Sequence, residues 1–137
     1  MKLEEVLVKP SEYLNEGCLK DISQSGTDLV FMNWCQVSVY KIVPSEKRKR
    51  RVATYSPAGK KLYLSDACFC KVEGREMLLV AVEEDNKVHV LDHNDGCLFV
   101  RYLDTGPLTL HRPCVLATDG LQRVSIGCHV FVYFVYL

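Results

Sequence analysis

Apolar residues in this chain alternate with polar ones or fall in short runs of four to seven, and Gly, Pro, Asn, Asp or charged clusters break the runs. That spacing predicts strands. No window carries a convincing helical stripe. The best attempt, residues 3–14, is interrupted by Pro10, whose ring and missing N–H disfavour a continuous helix. The expectation is an all-β fold.

The pattern also recurs. One copy runs through residues 18–22, a turn around Gly26, an apolar stretch at 29–34 and Val-Ser-Val-Tyr-Lys-Ile at 37–42. A second runs through 68–72, a turn around Gly74, 77–82 and 88–91; a third through 114–118, a turn around Gly120, 123–126 and 130–133. A further element fills the two gaps, at 51–56 and 97–103, each followed by a Gly/Pro stretch. A unit thus has four strands, and a four-stranded antiparallel unit recurring about every 40 to 50 residues is the signature of a propeller blade. The predicted architecture is three such blades of an incomplete β-propeller over residues 18–137, divided roughly as 18–50, 51–96 and 97–137, with 1–17 an N-terminal segment that has room for one edge strand. A β-sandwich of short strands is the alternative, although a sandwich does not require its parts to resemble one another. Within the units, 29–31 and 78–82 are apolar on both faces, which predicts central strands covered on both sides. The strand after each alternates, which predicts one wet face.

In the third unit, Pro113-Cys-Val-Leu-Ala-Thr-Asp119, Arg123-Val-Ser-Ile-Gly127 and Val130-Phe-Val-Tyr133 resemble an NHL repeat, with its Pro-initiated Val-Ala-x-Asp run and its closing Val-x-Val strand. WD-repeat propellers are the second family considered, but no Trp-Asp dipeptide occurs. The resemblance covers residues 18–137 in three imperfect copies and implies a non-catalytic interaction platform, like the propellers that close tripartite-motif ubiquitin ligases. Nothing resembles the zinc modules of those ligases. Three blades are fewer than a closed ring needs. The sheet ends, and above all the uncharged run 130–137, are therefore expected to be covered by missing blades of a larger protein or by a further chain.

Composition narrows the function classes. Seventeen Lys plus Arg balance seventeen Asp plus Glu, so there is no global field for nucleic acid or anionic lipid. No apolar run spans a membrane, and the first ten residues carry two acids where a secretory signal is apolar, so a cytoplasmic location is expected. Seven cysteines is an odd number without scaffold spacing, and they read as reduced, mostly buried thiols.

Chemistry is sparse. There is no Cys-x-x-Cys pair, no phosphate-binding glycine loop and no nucleophile elbow, so no metal, cofactor or catalytic residue is assigned. Residues 83–86 read as a solvated hairpin turn rather than a cation loop. The basic run Lys47-Arg48-Lys49-Arg50-Arg51 reads first as a charged loop between strands, and secondly as a nuclear-import signal or a phosphate contact. In a blade, the loop entering the innermost strand and the loop joining the next two strands share one face of the disc. By that analogy the basic run, residues 24–27, 73–76, 93–96 and 119–122 share a rim, and the expected partner-binding residues are Lys47, Arg48, Lys49, Arg50, Arg51, Arg75, Glu76, His93, Asp119 and Gln122. Their mixed signs favour a protein partner. RNA bound by 47–51 is the alternative, although no aromatic residues interleave the run to stack on bases.

Overall fold

The computed structural model describes residues 17–43, 45, 48–57, 62–119, 122–129 and 131–137. Among these residues, eleven strands form three antiparallel sheets. The first sheet is the meander β1 (Cys18–Ile22), β2 (Asp28–Met32), β3 (Val37–Val43) and β4 (Arg48–Tyr55). The second is β5 (Leu64–Val72), β6 (Arg75–Val82), β7 (Lys87–Asp92) and β8 (Leu98–Tyr102). The third contains β9 (Val115–Thr118), β10 (Arg123–Gly127) and β11 (Val132–Tyr136). Hydrogen bonding carries the first two sheets to Tyr55 and Tyr102, beyond the divisions drawn at 50/51 and 96/97.

The sheets stack face to face, and two-residue periodicity decides which neighbour each side chain meets. On β5 and β6, Ala67, Phe69, Leu78, Val80 and Val82 pack with Val30, Met32, Val37 and Val39 of the first sheet. The residues between them, Cys68, Cys70, Met77, Leu79 and Ala81, pack with Leu116, Val124, Ile126 and Val135 of the third. β5 and β6 of the second sheet are therefore covered on both faces. Their fully buried Leu and Val side chains each contribute about 1.5–3 kcal/mol of apolar transfer energy. First strands meet first strands, β1 against β5 and β5 against β9, as in the inner ring of a propeller.

The joints between sheets repeat. Asp21 accepts the Phe69 N–H at 2.8 Å through Oδ2 and the Ile22 N–H at 2.8 Å through Oδ1. Asp66 does the same one sheet later, accepting Leu116 N–H at 2.8 Å and Ala67 N–H at 2.9 Å. Both acids follow a β-bulge, at Lys20 and Ser65, where the extra residue turns the carboxylate out of its own ladder. The outer strands bulge in matching places as well, at Val52 on β4 and Val100 on β8.

Two turns show why the chain reverses where it does. Between β5 and β6 lie only Glu73 and Gly74, with φ of 53° and 78°, the two left-handed residues of a type I′ hairpin, which glycine makes easy at the second position. Asn86, at φ 54°, closes a single 3-10 turn over Glu83–Asp85. This is the hairpin turn expected at 83–86.

The central strands β2 and β6 are buried on both faces as expected, apart from the first two residues of β6. The following strands differ from expectation. Ser38 on β3 and His89 on β7 are buried instead of facing water; His89 is covered by Tyr55 of the first sheet and by Phe99 and Tyr102 of β8. The wet strand is the next one out: every residue of β8 is exposed. Among the described residues no helix is long and apolar enough to cross a membrane.

Candidate functional site at the loop end of the first two sheets

Strand direction alternates within each meander, so the turns after the first and third strands emerge at one end. The contacts between sheets place residues of the first two together there. The Gln24 N–H, in the β1–β2 turn, donates to Glu76 Oε2 at 3.0 Å, joining the first sheet to the second. Asp28 opens β2 and is fixed by its own loop: its N–H donates to Ser23 Oγ at 3.0 Å, and its carbonyl accepts the Ser23 N–H at 2.9 Å. His93 follows β7, with its ring edge-on to Phe69 at 4.8 Å between centroids.

These loops converge on three side chains. His93 Nε2 lies 3.6 Å from Asp28 Oδ2 and 3.6 Å from Glu76 Oε1. His93 is buried, and so is Asp28. Burial lowers the His93 pKa, while the nearby carboxylates of Asp28, Glu76 and Asp92 act in the opposite direction. A cavity of about 100 Å³ opens beside the group, lined by Asp28, Val39, Lys41, Val52, His93, Asn94 and Gly96. A larger one of about 210 Å³ lies on the other side of Glu76, between the first strands, and reaches Thr118.

The other expected residues divide by location. Arg75 adjoins the group through Asp92, with Nη2 2.7 Å from Oδ2. Asp119 stands at the turn of the third sheet, 3.3 Å from Arg123 Nε, and Gln122 is exposed there. Arg48, Lys49, Arg50 and Arg51 do not form a loop. They are the first half of β4, paired with residues 40–43 of β3, because an outermost strand leaves its free edge in water and tolerates charge. The Lys49 ammonium sits 4.2 Å from the Tyr40 ring centroid, while Arg50 and Arg51 are exposed. Lys47 lies outside the described residues. The structure thus brings Glu76 and His93 together, with Arg75 close by, and leaves the basic residues along the edge of the first sheet.

Two features were not singled out from the sequence. Asp28 had a signal: it is an acid heading a strand that is otherwise entirely apolar. The second feature is a relay. Tyr55 OH lies 2.8 Å from His89 Nδ1, and His89 Nε2 lies 2.9 Å from Asp85 Oδ2. With the ring proton on Nε2 shared with Asp85, Nδ1 accepts the phenol proton. Burial, then the charges of Tyr102 and Asp85, push Tyr55 up to about 12, so the phenol stays protonated at neutral pH. It acts as a clamp between β4 and β7. Burial likewise pushes the Cys68 thiol far up and Cys97 to about 12, and none of the seven cysteines is joined in a disulfide.

No protein-family model matches this chain, and none of the curated proteins does.

Proposed function

We propose that this chain is a non-catalytic interaction module of β-propeller type, with NHL-repeat propellers as its kin, and that it offers the loop end just described to another protein. One observation carries the reading: the Gln24 to Glu76 hydrogen bond at 3.0 Å joins the β1–β2 turn of the first sheet to the start of β6 in the second, making one surface on a packed frame. That surface mixes signs. Glu73 and Arg75 have side chains 76% and 65% exposed, and Arg101 reaches Glu73 at 3.2 Å. Mixed charge suits a folded protein surface better than a polyanion. Burial holds the Cys68 and Cys97 thiols and the Tyr55 phenol protonated, in keeping with a binding role for these three side chains.

The test is quantitative capture from cell extract on the full chain, compared with a Glu73→Lys/Arg75→Glu variant whose circular dichroism is unchanged. Partners retained by the first and lost by the second carry the proposal; identical capture by both overturns this surface. A second reading rests on the exposed Arg50 and Arg51 of β4. If it holds, single-stranded RNA binds with an affinity that falls with salt, and Arg50→Gln/Arg51→Gln reduces the log–log salt slope by about one per cation removed.

A further inference from the structure

The group formed by Asp28, Glu76 and His93 is unusual for a buried polar cluster. Its three ligand atoms lie within 4.8 Å of one another, yet among the described residues His93 makes no hydrogen bond through either ring nitrogen, and its side chain is only 1% exposed. Asp28 Oδ1 is buried without a partner as well. Orphaned buried polar atoms are costly and rare in a native structure, so the one that faces both carboxylates, His93 Nε2, requires an explanation.

Distance supplies one. At 3.6 Å the imidazole nitrogen is too far from either carboxylate for a hydrogen bond. Oxygen and nitrogen ligands about 2.0–2.2 Å from a shared tetrahedral ion stand about 3.3–3.6 Å apart. The two measured separations fit such an edge. The donor set also fits a cation: two carboxylates offset the charge of a divalent ion, and an imidazole selects a borderline transition metal over calcium or magnesium. Arg75 is engaged with Asp92 at 2.7 Å and leaves the three ligands free of a guanidinium. The adjacent cavity gives a fourth position an outlet to solvent.

We propose that Asp28, Glu76 and His93 form a divalent transition-metal site, best matched to zinc, that ties the start of β2 to β6 and to the β7–β8 turn. The ion bridges the first and second sheets at the end that carries the candidate interaction surface. Its occupancy therefore fixes the relative position of the two turns. The inference stands whether or not that surface binds a partner.

A competing arrangement is an imidazolium shared by the two carboxylates, with no ion. A second cluster, Glu83, Cys114 and His129, is a weaker candidate, because Arg112 and His129 already contact Glu83 at 2.8 and 3.0 Å.

The experiment uses the full chain, stripped with chelator and titrated with zinc chloride by calorimetry and thermal unfolding. One equivalent binds, and the unfolding midpoint rises by several degrees. His93→Gln and Asp28→Asn each weaken binding by about 100-fold or more, whereas Glu83→Gln leaves it unchanged. Cobalt(II) loaded into the wild-type chain gives visible ligand-field bands without a thiolate charge-transfer band. That spectrum needs no variant to fold. Absence of binding, binding unaffected by His93→Gln, or a thiolate band at one equivalent each overturns the site.

Discussion

The outer strands of the first two sheets occupy the same place in equivalent meanders and handle it in opposite ways. Among the described residues both are last in their sheet and pair on one side only, and both bulge at a valine. On β4 the edge carries Arg48, Lys49, Arg50 and Arg51. On β8 it carries Leu98, Phe99, Val100 and Tyr102, which are 56%, 39%, 47% and 47% exposed, with Arg101 the one charge. Charge on a free edge opposes pairing with another chain, whereas an apolar, β-prone edge invites it. Position in the fold therefore does not set surface chemistry. The first sheet has a guarded flank and the second an adhesive one.

The two flanks are mechanically linked. Tyr55 ends β4 and bonds His89, whose ring also stands edge-on to Phe99 at 5.5 Å and Tyr102 at 5.2 Å on β8. Breaking this link gives the largest expected effect. His89→Ala removes both hydrogen bonds and the ring beneath β8, and lowers stability by about 2–4 kcal/mol, read from the midpoint and slope of urea unfolding. A loss below about 0.5 kcal/mol would mean that the two flanks are held independently.

Exchanging the edge chemistry comes next. Val100→Lys places a cation at the bulged, exposed position of β8 and makes that edge resemble β4. Self-association measured by sedimentation at rising concentration decreases, while stability changes by no more than about 0.5 kcal/mol. The reverse change, Arg50→Val, increases association. If neither variant alters it, the contrast between the edges has no consequence in solution.

The smallest effect is a dependence on alkaline pH. Burial raises Tyr55 from 10.0 to about 12 in the folded chain, so folding holds the phenol proton more tightly than the unfolded chain does. The resulting stability is fully present below pH 10 and is lost as pH climbs through 12. Wild-type unfolding midpoints therefore fall more steeply over that window than those of Tyr55→Phe. Parallel curves would remove Tyr55 as the cause.

Much of this frame was legible in the sequence, and the unread parts have identifiable physical reasons. Apolar runs such as 77–82 and turns at Gly26 and Gly74 identified the meanders, because burial on two faces and left-handed backbone each leave a residue-type signature. The repeat was phased on Cys18, Cys68 and Cys114, yet the structure matches Leu19-Lys-Asp21 with Leu64-Ser-Asp66. The cysteines are not mostly buried as expected: Cys68, Cys70 and Cys97 are, Cys18 and Cys35 are exposed and Cys114 and Cys128 lie between, so cysteine marks no fixed place in the unit, whereas the aspartates make the joints. Ser38 and His89 appeared wet because periodicity reads polarity and cannot see a neighbour covering a polar side chain. The basic run appeared as a loop because five adjacent cations look incompatible with a ladder, although an outermost strand accepts the four from Arg48 to Arg51. The candidate site was half visible. Glu76 and His93 were selected by their place in turns, but their meeting with Asp28 depends on how the first two sheets pack, which no local pattern encodes.

The carboxylates of Asp21 and Asp66 grip main-chain amides, a group that every residue except proline presents, so the coupling makes no demand on the identity of the side chain it receives. A unit built this way can be duplicated or recombined without rewriting its neighbour. Divergence among the copies is then free to accumulate on their rims and flanks while the hub geometry is inherited intact.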